Sequence, residues 1–200
     1  MQDPARLRAL RRTNLLDTAA EESFDRLTRV AASALGVPVS LVSLVDEDRQ
    51  FFKSCLGLPQ PWADRRETPL THSFCQHVVT GAAPLIISDA REHPLVHDNL
   101  AIVDLGVIAY AGIPLKMPDG EIIGSLCAVD SVPRDWSDQD VEMLSDLAAA
   151  VMTEVRLRLV AAEAADAISR LSRLEAITDA ALSHLPESEL ITQLLARIVS

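Results

Sequence analysis

Two apolar runs, residues 108–117 and 121–129, meet at Pro118-Asp119-Gly120, and no other stretch constrains the fold as tightly. Glycine accepts positive φ and aspartate tolerates turn geometry, so the pair reads as a β-hairpin. Side chains alternate across a strand. Ile123, Cys127 and Val129 therefore share one face with Ser125, while Ile122, Leu126 and Ala128 share the other with Gly124. Gly112 and Gly124 leave room for a close approach of backbone or ligand. Pro114 lacks an N–H, which predicts an edge position or a bulge at that point.

A second hairpin is predicted from residues 37–45 and 50–56 around the polar turn Asp46-Glu47-Asp48-Arg49. Val39, Leu41 and Val45 point one way and Val42 and Leu44 the other, as in a strand covered on both faces. Before it, Phe24, Leu27, Val30, Ala31, Ala34 and Leu35 fall on one helical face, with Ser23 as N-cap and Gly36 as stop. Between the hairpins the pattern predicts a short helix over 74–80 capped by Ser73 and ended by Gly81. A short strand at 85–88 follows, then an irregular stretch with a short helix near 94–100.

From Ser137 to Leu185 there is no proline or glycine. Ser137 and Asp140 form a capping box with Asp in place of Glu. Val141, Leu144, Ala148, Val151 and Val155 repeat at helical spacing, and Val160, Ala164, Ala167, Leu171, Leu174 and Ala181 repeat in a second register. So long a pattern exceeds what a small domain covers and predicts pairing with another chain through the helix from Ser137 to Leu182. Val151 and Leu171 are expected on that seam, with the segment from Arg6 to Thr18 beside it. The alternative is a single helix lying on its own domain. Pro186 opens another amphipathic stretch, read as the start of something cut off.

Acids outnumber bases, giving a net charge of −11. Such a surface repels phosphate, so neither nucleic acid nor an anionic membrane is the expected partner. No apolar run is long enough to span a bilayer, and the arginine-rich start lacks the apolar core of a secretion signal. Three widely spaced cysteines, Cys55, Cys75 and Cys127, fit a reduced compartment better than a disulfide framework. The expected location is the cytoplasm.

Several stretches together resemble a GAF domain. They are Val45-Asp46-Glu47-Asp48-Arg49-Gln50-Phe51-Phe52-Lys53, Ser73-Phe74-Cys75-Gln76-His77, Ile87-Ser88-Asp89-Ala90-Arg91, Tyr110-Ala111-Gly112-Ile113-Pro114-Leu115 and Ile123-Gly124-Ser125-Leu126-Cys127-Ala128-Val129-Asp130. The resemblance covers residues 6–155 and is closest to GAF domains that precede histidine kinase, diguanylate cyclase or PP2C-type phosphatase modules in bacterial signalling proteins. It implies an α+β fold with a central antiparallel sheet, flanking helices and a small-molecule pocket under loops and short helices. The expected organisation is an N-terminal helix or linker over 1–20, the GAF domain over 21–155, a signalling-type connecting helix over 156–185, and the start of a truncated second domain over 186–200. Another GAF domain is one reading of that last piece.

By family position the ligand-binding residues are Phe52, Phe74, Cys75, His77, Asp89, Tyr110 and Cys127. The cofactor is left open. Bilin-binding members carry Cys followed directly by His, whereas Gln76 separates Cys75 from His77, and Asp104-Leu105-Gly106 supplies no second cysteine. The residues of cyclic-nucleotide-binding members are not found, and Lys53 and Lys116 fall in predicted strands. His93 and His97 stand four apart, as zinc or haem ligands can, but Pro94 disfavours a helix there. No metal site and no catalytic residue is assigned. His184 beside Pro186 is read as a surface residue rather than a phosphotransfer site. The expected role is a sensor that passes a small-molecule signal through a dimeric helix to an output module beyond residue 200. A ligand-free dimerisation scaffold is the alternative. Free methionine sulfoxide reduction, the cysteine chemistry of one branch of the family, fits the cysteine spacing poorly.

Overall fold

The computed structural model of the chain describes residues 2–182, with side chains through residue 176. The expectations for His184 and for residues 186–200 lie outside the described residues. One compact unit spans Met1–Leu157 and a second Arg158–Ser200.

The first unit is built on a six-stranded sheet of β1 (Val39–Val45), β2 (Arg49–Leu56), β3 (Glu67–Pro69), β4 (Leu85–Ile87), β5 (Ala109–Lys116) and β6 (Ile122–Asp130). Its order is β3-β2-β1-β6-β5-β4 with every pair antiparallel. Both predicted hairpins form. In the turn between β5 and β6, Gly120 takes φ +95° and donates to Met117 O at 3.0 Å. Strand β4 reaches only as far as Gly112 along β5. At Pro114, which pairs in register with Ser125, the outer side of β5 is therefore an edge, one of the two expected outlets for the proline; the register shifts only beyond it, between Leu115 and Lys116.

Strand β6 is buried from Ile122 to Val129. It lies beside β1 with Leu44 opposite Gly124. A Cβ on Gly124 would sit 1.9 Å from Ser43 O, so the close approach there is backbone to backbone.

The helices are α1 (Pro4–Arg12), α2 (Glu22–Leu35), α3 (Trp62–Arg65), α4 (Cys75–Gly81), α5 (Ala101–Asp104) and α6 (Asp138–Leu182). Helices α1 and α2 pack on β1, β2 and β6, whereas α4 packs on β6, β5 and β1. The apolar cluster around α4 contains Leu41, Phe52, Tyr110, Cys127 and Val129 and none of the buried residues of α1 or α2. The sheet is thus covered on both faces, as its apolar alternation requires.

Several local expectations shift. Helix α2 begins at Glu22, so Ser23 lies inside it and Glu21 takes the N-cap without a side-chain bond. Gly36 ends it in the left-handed conformation at φ +62°. Ser73 does cap α4, accepting the Gln76 N–H at 3.1 Å, but Ala82 rather than Gly81 adopts positive φ at its end. No helix forms over 94–100. Asn99 Oδ1 accepts the Ala101 N–H at 3.0 Å, a side-chain turn that leads into α5 after it.

The capping box of α6 is made: Ser137 N donates to Asp140 Oδ2 at 2.9 Å, and Asp140 N donates to Ser137 Oγ at 3.2 Å. Leu144, Ala148, Val151 and Val155 are buried within the first unit. In the second unit, Val160, Ile168, Leu171 and Leu174 are exposed. Val151 therefore faces its own domain, and the expectation that it shares a seam with Leu171 is corrected. The second unit's described side chains, through residue 176, are exposed apart from Arg158 and Leu159.

Gly124→Ala is expected to lower unfolding free energy by ~1–3 kcal/mol or more, because backbone cannot yield as a side chain does. Gly81→Ala meets open space and ordinary φ and should stay within about 0.5 kcal/mol. Urea denaturation of both variants checks the contrast.

Candidate functional site

The sheet face under α4 holds a cavity of about 30 Å³. At roughly 10–15 Å³ per water that is room for two or three waters, well short of the roughly 300–1,000 Å³ of small-molecule sites. The strands contribute Val39 and Leu41 from β1, Gln50 and Phe52 from β2, Tyr110 from β5, and Cys127 and Val129 from β6. Above them stand His72, Phe74 and Cys75 at the entry to α4, and Ala101, Leu105 and Val107 around α5.

Five of the seven residues expected from family position line this cavity: Phe52, Phe74, Cys75, Tyr110 and Cys127. His77 and Asp89 do not. His77 lies in a separate surface groove with Thr71, Asp98 and Asn99. Burial lowers its pKa, opposed by nearby Asp98. Asp89 closes a local loop, with Oδ1 accepting from Arg91 Nε at 2.9 Å and from the Arg91 N–H at 3.1 Å. Those hydrogen bonds hold its carboxyl below the ordinary value.

Two polar lining residues were not expected. Gln50 Oε1 accepts from Ser73 Oγ at 2.6 Å and Ser43 Oγ at 3.2 Å, and its Nε2 donates to Thr68 Oγ1 at 2.7 Å. It thereby ties β1, β2, β3 and the cap of α4 together. His72 bonds Asp104 through Nε2 at 2.9 Å and Thr71 through Nδ1 at 3.0 Å, which anchors α5 over the cavity. Gln50 sits inside a quoted family stretch, but its inward direction depends on the β1–β2 register. His72 carried no signal, because its partner lies in an irregular segment.

The chemistry centres on two thiols and one phenol. Gly112 lets the Tyr110 ring fold back over β5, since a Cβ there would lie 2.3 Å from Tyr110 Oη. Tyr110 Oη then donates to Cys75 Sγ at 3.4 Å and lies 3.5 Å from Ser125 Oγ. Phe74 holds the ring with a centroid distance of 5.3 Å. Cys75 and Cys127 both face the cavity and lie close enough to shift each other's titration. Cys127, and after it the neighbouring Ser125 and Tyr110 hydroxyls, hold Cys75 below the ordinary thiol value, so it is the more acidic thiol of the pair, while Cys127 is pushed up by Cys75 and by burial. Burial raises the Tyr110 pKa well above its ordinary value. Cys55 stands apart at the end of β2 and lines a different groove with Asp25, Arg29 and Arg66.

Among the described residues, no group of three or more His, Cys, Asp or Glu gathers as a metal site would. His97 lies in a turn and His93 just before it, where His93 Nδ1 accepts from the Leu95 N–H at 3.3 Å. Among the described residues no helix is long and apolar enough to cross a membrane.

The family description "GAF domain" matches residues 19–155. A cyclic di-GMP phosphodiesterase of Pseudomonas aeruginosa is 34% identical over 143 residues, covering 70% of this chain and 24% of that protein. The diguanylate cyclase DgcP of Escherichia coli is 27% identical over 103 residues, covering 52% of this chain and 30% of the cyclase. The chain thus spans less than a third of the length of either relative. The crystal structure of the GAF domain from an Acinetobacter phosphoenolpyruvate-protein phosphotransferase superposes with a TM-score of 0.56 at 19% identity, covering 82% of this chain and 99% of that one. At that identity the likeness speaks for the fold.

Tyr110 is the single tyrosine of the chain, so its titration can be read directly at 295 nm. Phenolate absorbance is expected only well above the ordinary tyrosine value of about 10. A folded pKa raised above the unfolded one adds stability below pH ~10 that drains as pH climbs toward the folded value. Gly112→Ala should move the ring and bring the titration down toward that ordinary value.

Proposed function

The chain belongs to the GAF domain family, and from that membership we propose that it is the sensory part of a longer bacterial signalling protein. Its matches to limited shares of a cyclic di-GMP phosphodiesterase and a diguanylate cyclase support a role ahead of an output module. In this reading the chain itself receives the signal and the output module does the chemistry.

The observation that carries the proposal is the cavity between the sheet and α4, lined by five of the family-position residues. A small molecule entering it must spread the wall formed by Ala101, Leu105 and Val107. Helix α5 is a single turn whose Val103 is exposed, and its movement would have to release the His72–Asp104 bond. The cavity also adjoins the route to α6. Cys127 and Val129 lie on the strand that leads through residues 131–137 into that helix. The connection is stitched down by Arg134 N to Ser88 O at 3.0 Å and Trp136 Nε1 to Ile87 O at 3.1 Å. A ligand transmits only if it binds two arrangements of these groups differently.

Helix α6 is proposed to dimerise through its distal part. Val160, Ala164, Ala167, Leu171 and Leu174 alternate in steps of four and three, the spacing of a coiled-coil seam, and all are exposed. Arg170 and Glu175 flank the seam with opposite charges, at positions that face each other across a parallel pair. The Arg6–Thr18 segment buries Leu7, Leu10 and Leu15 in its own unit, so the dimer rests on α6 alone. Leu171→Glu combined with Leu174→Glu is expected to halve the mass seen by light scattering while leaving the far-ultraviolet spectrum of the sheet intact. A dimer that survives removes the helix from the interface.

The small volume of the cavity favours a second reading, a ligand-free dimerisation scaffold whose pocket is filled by its own side chains. A metabolite panel scored by melting temperature, with native mass spectrometry of the purified chain, separates the two. Sensing predicts at least one compound that raises the melting temperature and adds its mass. A flat panel on mass-clean protein selects the scaffold.

A further inference from the structure

We propose that Cys75 and Cys127 are a peroxide-oxidisable thiol couple, closing a disulfide across the cavity between α4 and β6. Three observations carry it. Both thiols line the same cavity, one from α4 and one from the β6 strand it packs on, although they stand 52 positions apart in sequence. A phenol hydroxyl is aimed at Cys75 Sγ at 3.4 Å, held there because Gly112 has no side chain to displace the ring. The space beside the sulfurs is about 30 Å³, which admits a molecule the size of hydrogen peroxide and excludes glutathione disulfide or a protein oxidant.

The environment orders the chemistry. Ser125, Ser43 and Tyr110 surround Cys75, so it is the sulfur better stabilised as thiolate and the one that attacks. Its sulfur bonds one peroxide oxygen as the O–O bond breaks, and the departing hydroxide takes up a proton and leaves as water. Cys127 sulfur then attacks the Cys75 sulfenic acid, an S–S bond forms, and the second oxygen leaves with the Cys127 proton as another water. Two thiols and one peroxide give one disulfide and two waters. Tyr110 acts as a positioning residue for the Cys75 sulfur. Cys55, in another groove and with its pKa raised by burial, takes no part.

The chemistry stands without the sensory reading; only its use as a signal rests on that reading. The three cysteines fall in three tryptic peptides, residues 54–65, 67–91 and 117–134. The purified chain, reduced and then treated with a few equivalents of hydrogen peroxide, is expected to lose about 2 Da per chain. Digestion should join peptides 67–91 and 117–134, and dithiothreitol should separate them. Treatment with glutathione disulfide should leave both thiols reduced. In Cys127→Ser, treated with peroxide and then unfolded in the presence of dimedone, Cys75 should be captured as sulfenic acid. Tyr110→Phe should slow the joining severalfold and be reversed in no other property of the digest. Thiols that stay reduced under excess peroxide overturn the proposal, as does a cross-link through Cys55, and the wild-type digest decides this even if a variant fails to fold. A disulfide that forms without altering α6 supports the couple and counts against the sensory reading.

Discussion

The pairing of β6 with β1 at Gly124 fixes the rest of the molecule. Because no Cβ intervenes, Ser43 O and the Gly124 backbone come together at a distance only glycine permits. That contact sets the register in which Leu41 faces Cys127 and Ser43 faces Ser125. Moving β6 by one residue would send its apolar set to the opposite face. The cavity would then lose Cys127 and Val129, and α4 would lose the surface it packs on.

A second glycine acts differently. Gly112 opposes Cys127 across the hairpin and leaves its own face open for the Tyr110 ring. The ring fills what would be a larger pocket and brings a hydroxyl into a mostly apolar place. Gln50 and His72 are already bonded to their neighbours and reinforce the walls. The result is a small, mostly apolar space whose chemical character comes from two thiols and a phenol.

Much of this was legible from the residues. Alternating apolar runs around Pro118-Asp119-Gly120 define the β5–β6 hairpin, and Ser137 with Asp140 defines the start of α6. Phe52, Phe74, Cys75, Tyr110 and Cys127, singled out from the sequence, line one cavity. What was not legible depends on partners distant in sequence. His72 is held by Asp104, and the chain enters α5 through a turn closed by the Asn99 side chain, neither of which periodicity records. Asp89 turns to Arg91 two residues away, a local ion pair that outcompetes a place in the cavity. Along α6 the spacing of Val151 and Leu171 is equally helical, and only packing shows that the first is buried and the second exposed.

The central claim is that the state of the cavity reaches α6 through β6 and residues 131–137. Val129→Ile adds about one methylene to the wall of a cavity of about 30 Å³, enough to occupy it without replacing a polar group. Amide hydrogen exchange of residues 138–157, compared between this variant and the wild type, reads the coupling directly. A severalfold change in protection of those amides is expected. Changes confined to α4, α5 and the strands that line the cavity would contradict it.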